Sequence, residues 1–251
     1  MHLLAQNAYR KRVEIVKSKN IQSVERALAI LEVLRDFGGS AKLNDIATAA
    51  GLTASTAHGL LNTLVDLGYV IREGLLYTTG IKLLHLARPA ESREQELIRL
   101  FMPAMQAFSA ACGVTSLLAV ACGVNNYVIV QRSEPNGLST SDLAVERNAL
   151  TETAVGKVLL AHDAALLRRL SLVGDVTLEL REEIEMIRRQ GYAADIGKSG
   201  LDLNCVALPL RLRGEVVASL GATAISHKLP GASMIEAVKK CMRDLYPLLS
   251  L

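Results

Sequence analysis

Five side chains close together in the first third of the chain could read a nucleic acid. Thr53, Ser55, Thr56 and His58 are near neighbours, and Asn62 follows one helical turn later. If a helix begins at Thr53, these hydroxyl, imidazole and amide groups gather at its N-terminal turn. Groups of that kind hydrogen-bond base edges in a major groove, and the free N–H groups of such a turn can hold a phosphate. The ordinary alternative is a helical hairpin with polar residues turned to solvent. A second chemistry rests on Cys205, a candidate nucleophile with His162 or His227 as its base. No nucleophile elbow, phosphate loop or metal motif accompanies these residues, so no enzyme is expected. The four cysteines, Cys112, Cys122, Cys205 and Cys241, form no C-x-x-C pair. Reduced thiols in a cytoplasmic protein, with no metal and no cofactor, are the expectation.

The elements that must position the first set are legible in the hydrophobic spacing. Residues 23–36 predict an amphipathic helix with Val24, Ala27, Leu28, Leu31 and Leu34 inward and Ser23 as N-cap. A short helix follows over 43–50. Gly51-Leu52-Thr53 makes a turn, and a third helix covers 54–67 with Ala57, Leu60, Leu61, Leu64 and Leu67 inward. Two short helices joined by a Gly-containing turn make a helix-turn-helix. Two strand-like runs, 68–72 and 75–78, flank Glu73-Gly74 and read as a wing. Residues 81–88 resume helical spacing as a connector ending before Pro89, and a longer helix over 92–111 is expected to be kinked or split at Pro103.

Beyond it, strand-like segments at 114–121, 127–131, 138–143, 192–195, 205–212 and 215–224 alternate with helices at 153–161, 163–170, 178–190 and 234–249. The helix at 178–190 reads as solvated. Strands at both ends around central helices predict an antiparallel sheet with helices packed on it. The expected fold class is therefore α+β. A basic N-terminal tail (1–20) leads into a winged helix-turn-helix domain (21–80), a linker helix (81–91) and a sheet domain (92–251).

Composition narrows the classes. The chain has 251 residues, of which 50% are hydrophobic and 21% charged, with no Trp and 4% aromatics. That is enough apolar surface for aliphatic cores and excludes wholesale disorder and low-complexity classes. No run approaches the roughly 18 apolar residues of a membrane span, and no membrane partner is expected. The net charge of +3 is uneven. Residues 1–88 carry 11 Lys/Arg against 7 Asp/Glu, and the remainder carries 17 against 18. The excess is densest at Arg10, Lys11, Arg12, Lys17 and Lys19, which points to a polyanion partner at one end.

The stretches IQSVERALAILEVL and LNDIATAAGLTASTAHGLLNTLVDLGYVIRE closely resemble the DNA-binding domain of IclR-type bacterial transcription regulators. TETAVGKVLLA at 151–161, RRQGYAADIG at 188–197 and NCVALPL at 204–210 resemble ordered landmarks of that family's effector-binding domain. The resemblance implies a GAF-like C-terminal domain that binds a small organic acid or aromatic metabolite. It also implies a homodimer, assembling to a dimer of dimers, on palindromic double-stranded operator DNA. Such a protein regulates a catabolic operon, more often as a repressor. By the same resemblance Ala154, Val155 and Gly156 meet the effector, the helix N-terminus there favouring an anion. Asp195, Leu203, Cys205, Gly221 and Thr223 line the rest of the pocket. Lys157 is expected at the surface.

Departures from the family pattern bear on both sites. Ala54 and Gly59 stand where the family commonly has basic residues, and Leu76 or Thr78 where its wing often carries Arg. No Lys or Arg lies between Thr53 and Ile71. The electrostatic work is expected to pass to Arg26, Lys42, Arg72 and the tail. Gly221 removes one of two strand hydroxyls, and Ile196 and Lys198 thin the usual acidic run. A ligand other than a small keto acid follows, or a regulator that binds DNA without ligand control.

Overall fold

The structure is a computed structural model and describes residues 20–137, 139–140, 148–172, 174–197, 203–225 and 230–251. The basic tail at 1–19, most of the 138–143 run, Lys198, His227 and the side chain of Leu203 lie outside the described residues. The chain divides into two compact units, residues 1–92 and 93–251.

In the first unit, helices α1 (Gln22–Asp36), α2 (Leu43–Ala49) and α3 (Ala54–Asp66) pack around Ile30, Leu34, Ile46 and Leu61, all fully buried. The helix-turn-helix is α2 and α3. Gly51, at φ 65°, supplies the left-handed residue that ends α2, and the Leu52 N–H closes back on the Ala47 carbonyl at 2.8 Å. Strands β1 (Ser40–Lys42), β2 (Val70–Glu73) and β3 (Leu76–Thr79) form an antiparallel sheet in the order β1-β3-β2. The hairpin β2–β3 is the wing. Strand β1 was not anticipated, because three residues carry no period to read.

Three expectations for this unit fail. The buried face of α1 is Ile30, Val33 and Leu34, while Val24 and Leu28 are more than half exposed. A helix packed at only one end of its length buries only that end. Ile21, not Ser23, takes the N-cap position, with no side-chain cap bond. Leu67 is likewise half exposed.

Helix α4 (Lys82–Cys112) is continuous. The expected linker helix ending before Pro89 and the break at Pro103 are both corrected. A proline removes one amide bond and costs about 3 kcal/mol in a helix interior. Around Pro103 the stripe Phe101, Ala104, Met105 and Phe108, all fully buried, offsets that cost. Near Pro89 the Ser92 hydroxyl donates to the Arg88 carbonyl at 3.0 Å.

The second unit is built on an antiparallel sheet of β4 (Ser116–Cys122), β5 (Asn126–Ser133), β6 (Ser139–Thr140), β7 (Asn148–Ala149), β8 (Ala193–Ile196), β9 (Leu203–Leu212) and β10 (Glu215–Ile225). The order is β6-β5-β4-β10-β9-β8, with β7 also on β5. Helices α5 (Ala154–His162), α6 (Ala164–Leu172) and α7 (Leu178–Gln190) cover one face through Val158, Leu160, Leu170 and Ile184. The later part of α4 and α8 (Gly231–Asp244) cover the other through Phe108, Met105, Met234 and Val238. A four-residue helix, α9 (Tyr246–Leu249), follows α8, where one helix to 249 was expected. Helix α7 is not merely solvated: Leu180, Ile184 and Ile187 are buried.

Candidate functional site

The start of α3 is built by its own side chains. Thr53 is the N-cap, and its Oγ1 accepts the Thr56 N–H at 3.2 Å. The same hydroxyl donates to Thr56 Oγ1 at 2.9 Å and lies 3.1 Å from Ser55 Oγ. The three hydroxyls thus form one bonded cluster, which holds them in place at the helix end. Burial of Ala57, Leu61 and Leu64 turns the opposite face outward. That face carries Ala54, Ser55, His58, Gly59, Asn62, Thr63 and Asp66, all exposed and spaced as one helical stripe. The structure therefore brings Ser55, His58 and Asn62 onto one open surface, with Thr53 and Thr56 at its edge. The stripe has no cation.

The expected cations lie on other elements of this unit. Arg72 is exposed on the wing, with its Nε donating to the Gly74 carbonyl at 3.3 Å and its guanidinium 5.6 Å from the Tyr77 ring centre. Lys42 is exposed at the end of β1, opposite Leu76 of the wing. Arg26 is half-buried on α1. Lys82 was missed by the sequence reading: its Nζ donates to the Leu67 carbonyl at 2.9 Å and sits 5.1 Å from the Tyr69 ring centre. It thereby closes the C-terminal end of α3. The contact spans fifteen positions of sequence, so no local pattern could have revealed it. The wing tip is apolar, with Leu75 75% exposed.

In the second unit several residues expected to line an effector pocket fall into register. Asp195 pairs with Cys205 across β8–β9, and Cys205 with Thr223 across β9–β10. The next row inward is Ala193, Ala207, Gly221 and Leu117. Two-residue alternation puts both rows on the face covered by α5. Cys205 Sγ is 2.8 Å from Thr223 Oγ1. Burial pushes the Cys205 thiol up; the bond to Thr223 opposes this, and the Asp195 charge adds to it. A thiol held protonated is a poor nucleophile, and among the described residues no histidine bonds to it. Asp195 is 5% exposed, and its Oδ1 has no hydrogen-bond partner among the described residues.

Helix α5 meets this face at its first turn. Thr153 caps it, accepting the Gly156 N–H at 3.1 Å, and Ala154, Val155 and Gly156 are all buried. Val155 lies directly over Gly221: a Cβ there would come within 2.6 Å of Val155 Cγ2 and 2.9 Å of Leu117 Cδ1. The missing hydroxyl is therefore replaced by packing, not by open space. Gly156 also permits a close approach, that of the Leu150 backbone, 2.6 Å from where a Cβ would stand. Lys157 is corrected from surface to interior. It is 6% exposed and its Nζ is 2.9 Å from Glu183 Oε2 on α7. His162 is half-buried, with Nε2 lacking a partner among the described residues. A groove of about 430 Å³ lined by Glu179, Glu182, Met186, Tyr192 and Ile235 also takes in Ala194. Ala194 faces away from Asp195 on β8, so this groove is separate from the Asp195 row.

A winged helix-turn-helix presenting hydroxyl, imidazole and amide groups at the start of its second helix, followed by an α+β unit on an antiparallel sheet, defines a DNA-binding transcriptional regulator. Residues 23–74 match the IclR helix-turn-helix domain and residues 91–246 the bacterial transcriptional regulator IclR C-terminal domain. The chain belongs to the IclR family. It is 28% identical over 229 residues to the HTH-type transcriptional regulator XynR of Escherichia coli (strain K12), covering 85% of this chain and 90% of that one. It is 27% identical over 247 residues to the glycerol operon regulatory protein of Streptomyces coelicolor, covering 90% and 95%. An IclR homolog from Microbacterium hydrocarbonoxydans, solved in complex with 4-hydroxybenzoate, has the same fold. Its TM-score is 0.60 at 23% identity, over 90% of this chain and 99% of that one. Among the described residues no helix is long and apolar enough to cross a membrane.

Proposed function

We propose that this protein is a ligand-responsive repressor of a catabolic operon, acting in the cytoplasm without catalysis of its own. The observation that carries the DNA contact is the exposed stripe of α3 with Ser55, His58 and Asn62 beside the Thr53–Thr56 cluster. Arg26, Lys42, Arg72 and the basic tail supply the phosphate contacts the stripe lacks. A homodimer, paired again as a dimer of dimers, sets two recognition helices on inverted half-sites. Repression is the simpler mode, because occupancy of DNA suffices and no second contact with polymerase is needed.

The effector is a small organic acid or aromatic metabolite. Ala154, Val155, Gly156, Asp195, Leu203, Cys205, Gly221 and Thr223 line its GAF-like pocket. A family member that regulates a glycerol operon and another that holds 4-hydroxybenzoate support a small metabolite in this role. Effector and operator each favour one arrangement of the DNA-binding domains, so each alters the other's affinity by the same factor. The first part of helix α4, which leads from the wing into the second unit's sequence, is the place for that change.

The test is a footprint on the DNA upstream of the protein's own gene and the adjoining operon, with and without the operon's substrate. Protected inverted half-sites that weaken with metabolite support the reading; absence of any protection sinks it. Removing residues 1–19 should lower operator affinity and flatten its salt dependence by nearly one unit of slope per lost phosphate contact. A second reading, a regulator freed from ligand control, is favoured by the packing of Val155 against Gly221. It predicts operator binding that no metabolite alters.

A further inference from the structure

Two cysteines that no C-x-x-C spacing connects meet in the core between α4 and α8. The buried stripe of α4 runs through Phe101, Ala104, Met105 and Phe108 and ends at Cys112, the last residue of the helix. The stripe of α8 runs through Met234, Val238 and Cys241. Both belong to one apolar cluster on one face of the sheet. Helical spacing therefore sets both thiols inward, where Cys112 donates a hydrogen bond to the Cys241 sulfur. Cys112 is 5% exposed and Cys241 2% exposed. The other two thiols differ. Cys122 is exposed, and Cys205 is paired with Thr223 on the opposite face of the sheet.

Packing asks only for a small apolar side chain at either position; it does not ask for two sulfurs in contact. Thiols that already touch need little movement to reach the sulfur–sulfur bond length of about 2.05 Å. Their hydrogen bond also divides the roles. It favours the thiolate of Cys241; burial and the Asp244 charge oppose that, and Lys240 assists it. The same bond, with burial, pushes the Cys112 thiol up. The thiolate is the form that attacks an oxidant, so Cys241 reacts first. Entry for a small oxidant lies at the end of α4. Gly113 follows Cys112 there, exposed and left-handed at φ 68°, and no further turn of helix holds that end closed.

We propose that Cys241 and Cys112 form a redox modification site, Cys241 as the attacking thiol and Cys112 as the resolving one, closing to a disulfide between α4 and α8 with hydrogen peroxide. In the first step the Cys241 sulfur attacks one peroxide oxygen. The O–O bond breaks, the other oxygen leaves as water with the thiol proton, and Cys241 becomes a sulfenic acid. In the second, the Cys112 sulfur attacks the Cys241 sulfur. The S–O bond breaks, and the hydroxyl leaves as water with the Cys112 proton. One peroxide thus takes two electrons and two protons from the pair and yields two waters. Small thiols reverse the bond by exchange, and a transient disulfide of this kind suits a reducing compartment.

The test uses the full chain, reduced, with Cys122→Ser to remove the exposed thiol, and treats it with hydrogen peroxide well below its melting temperature. Intact mass should fall by two hydrogens, and peptide mapping without reductant should join the Cys112 and Cys241 peptides. The oxidised protein should melt at least about 4 °C higher, because the cross-link closes a long loop of the unfolded chain. Dithiothreitol should return the melting temperature to that of the reduced protein. Cys112→Ala should stop at a Cys241 sulfenic acid that dimedone traps, and Cys241→Ala should leave Cys112 unlabelled. Where an alanine variant does not fold, mapping and melting of the Cys122→Ser protein decide alone.

A mass that is unchanged, or that rises by oxygen with no linked peptide, overturns the proposal. So does a link made through Cys205, or dimedone found on Cys112 of the Cys241→Ala protein. An oxidised protein that melts lower overturns it as well, since the bond then fits the unfolded chain better than the folded one.

Discussion

Replacing Gly59 with arginine should change two quantities at once, and the structure separates them. Gly59 lies on the exposed stripe of α3, and a Cβ added there meets nothing within 4 Å. Its carbonyl accepts the Thr63 hydroxyl at 3.1 Å, a backbone contact that the substitution leaves intact. Glycine in a helix interior costs about 0.8 kcal/mol relative to arginine. For a unit of this size that is about 3–6 °C in melting temperature. Melting is followed by NMR on the rings of Tyr69 and Tyr77, both in this unit. The second quantity is electrostatic. One new phosphate contact steepens the slope of log affinity against log salt by about 0.9. Between 50 and 200 mM salt the variant should therefore lose roughly 3.5-fold more affinity than the parent, by fluorescence anisotropy on a labelled operator duplex. Gly59→Ala is the control, with at least as much stabilisation and an unchanged slope. If Gly59→Arg and Gly59→Ala share one salt slope, the stripe does not face phosphates. If Gly59→Ala is not stabilised, the helix-interior argument is wrong.

Gly221→Ser should destabilise the second unit by about 1–3 kcal/mol through overpacking against Val155 and Leu117; thermal denaturation should show Val155→Ala rescuing part of the loss, and simple additivity of the two would refute the contact. Glu183→Gln leaves the Lys157 ammonium buried and unpaired and should cost about 3–5 kcal/mol. Lys157→Met should cost less, because the Glu183 side chain is 24% exposed and can reach water; urea titrations giving the reverse order would count against the bridge. Burial first, then Arg211 and Arg188, pushes His162 below its usual 6.5. The unfolded chain then takes a proton that the folded chain refuses, so stability is full above about pH 6.5 and declines as the pH falls toward the lowered value. His162→Gln should flatten that decline in a melting series from pH 7.5 to 5, and an unchanged profile would remove His162 as its source.

Periodicity and punctuation determined much by themselves. Leu61 and Leu64 at helical spacing, Gly51 in the turn and Thr53 at the cap were sufficient to place the helix-turn-helix, because a helix buries one stripe and its ends need local partners. The alternation of strands and helices placed the second unit in the same way, whereas the segments at 151–161, 188–197 and 204–210 spoke only through their resemblance to the IclR family. What the tertiary structure alone decided involves residues far apart in sequence. Val24 and Leu28 repeat correctly for an inward face yet stand exposed, since burial depends on what lies opposite. Pro103 reads as a break, but the packing of Phe101, Met105 and Phe108 outweighs its local cost. Lys157 looks like a surface lysine until Glu183, on another helix, is brought to 2.9 Å. Gly221 reads as a lost hydroxyl, and only the fold lays Val155 over it. Local free energies are written along the chain, whereas the partner that satisfies or fills a buried site is supplied by elements that meet only on folding.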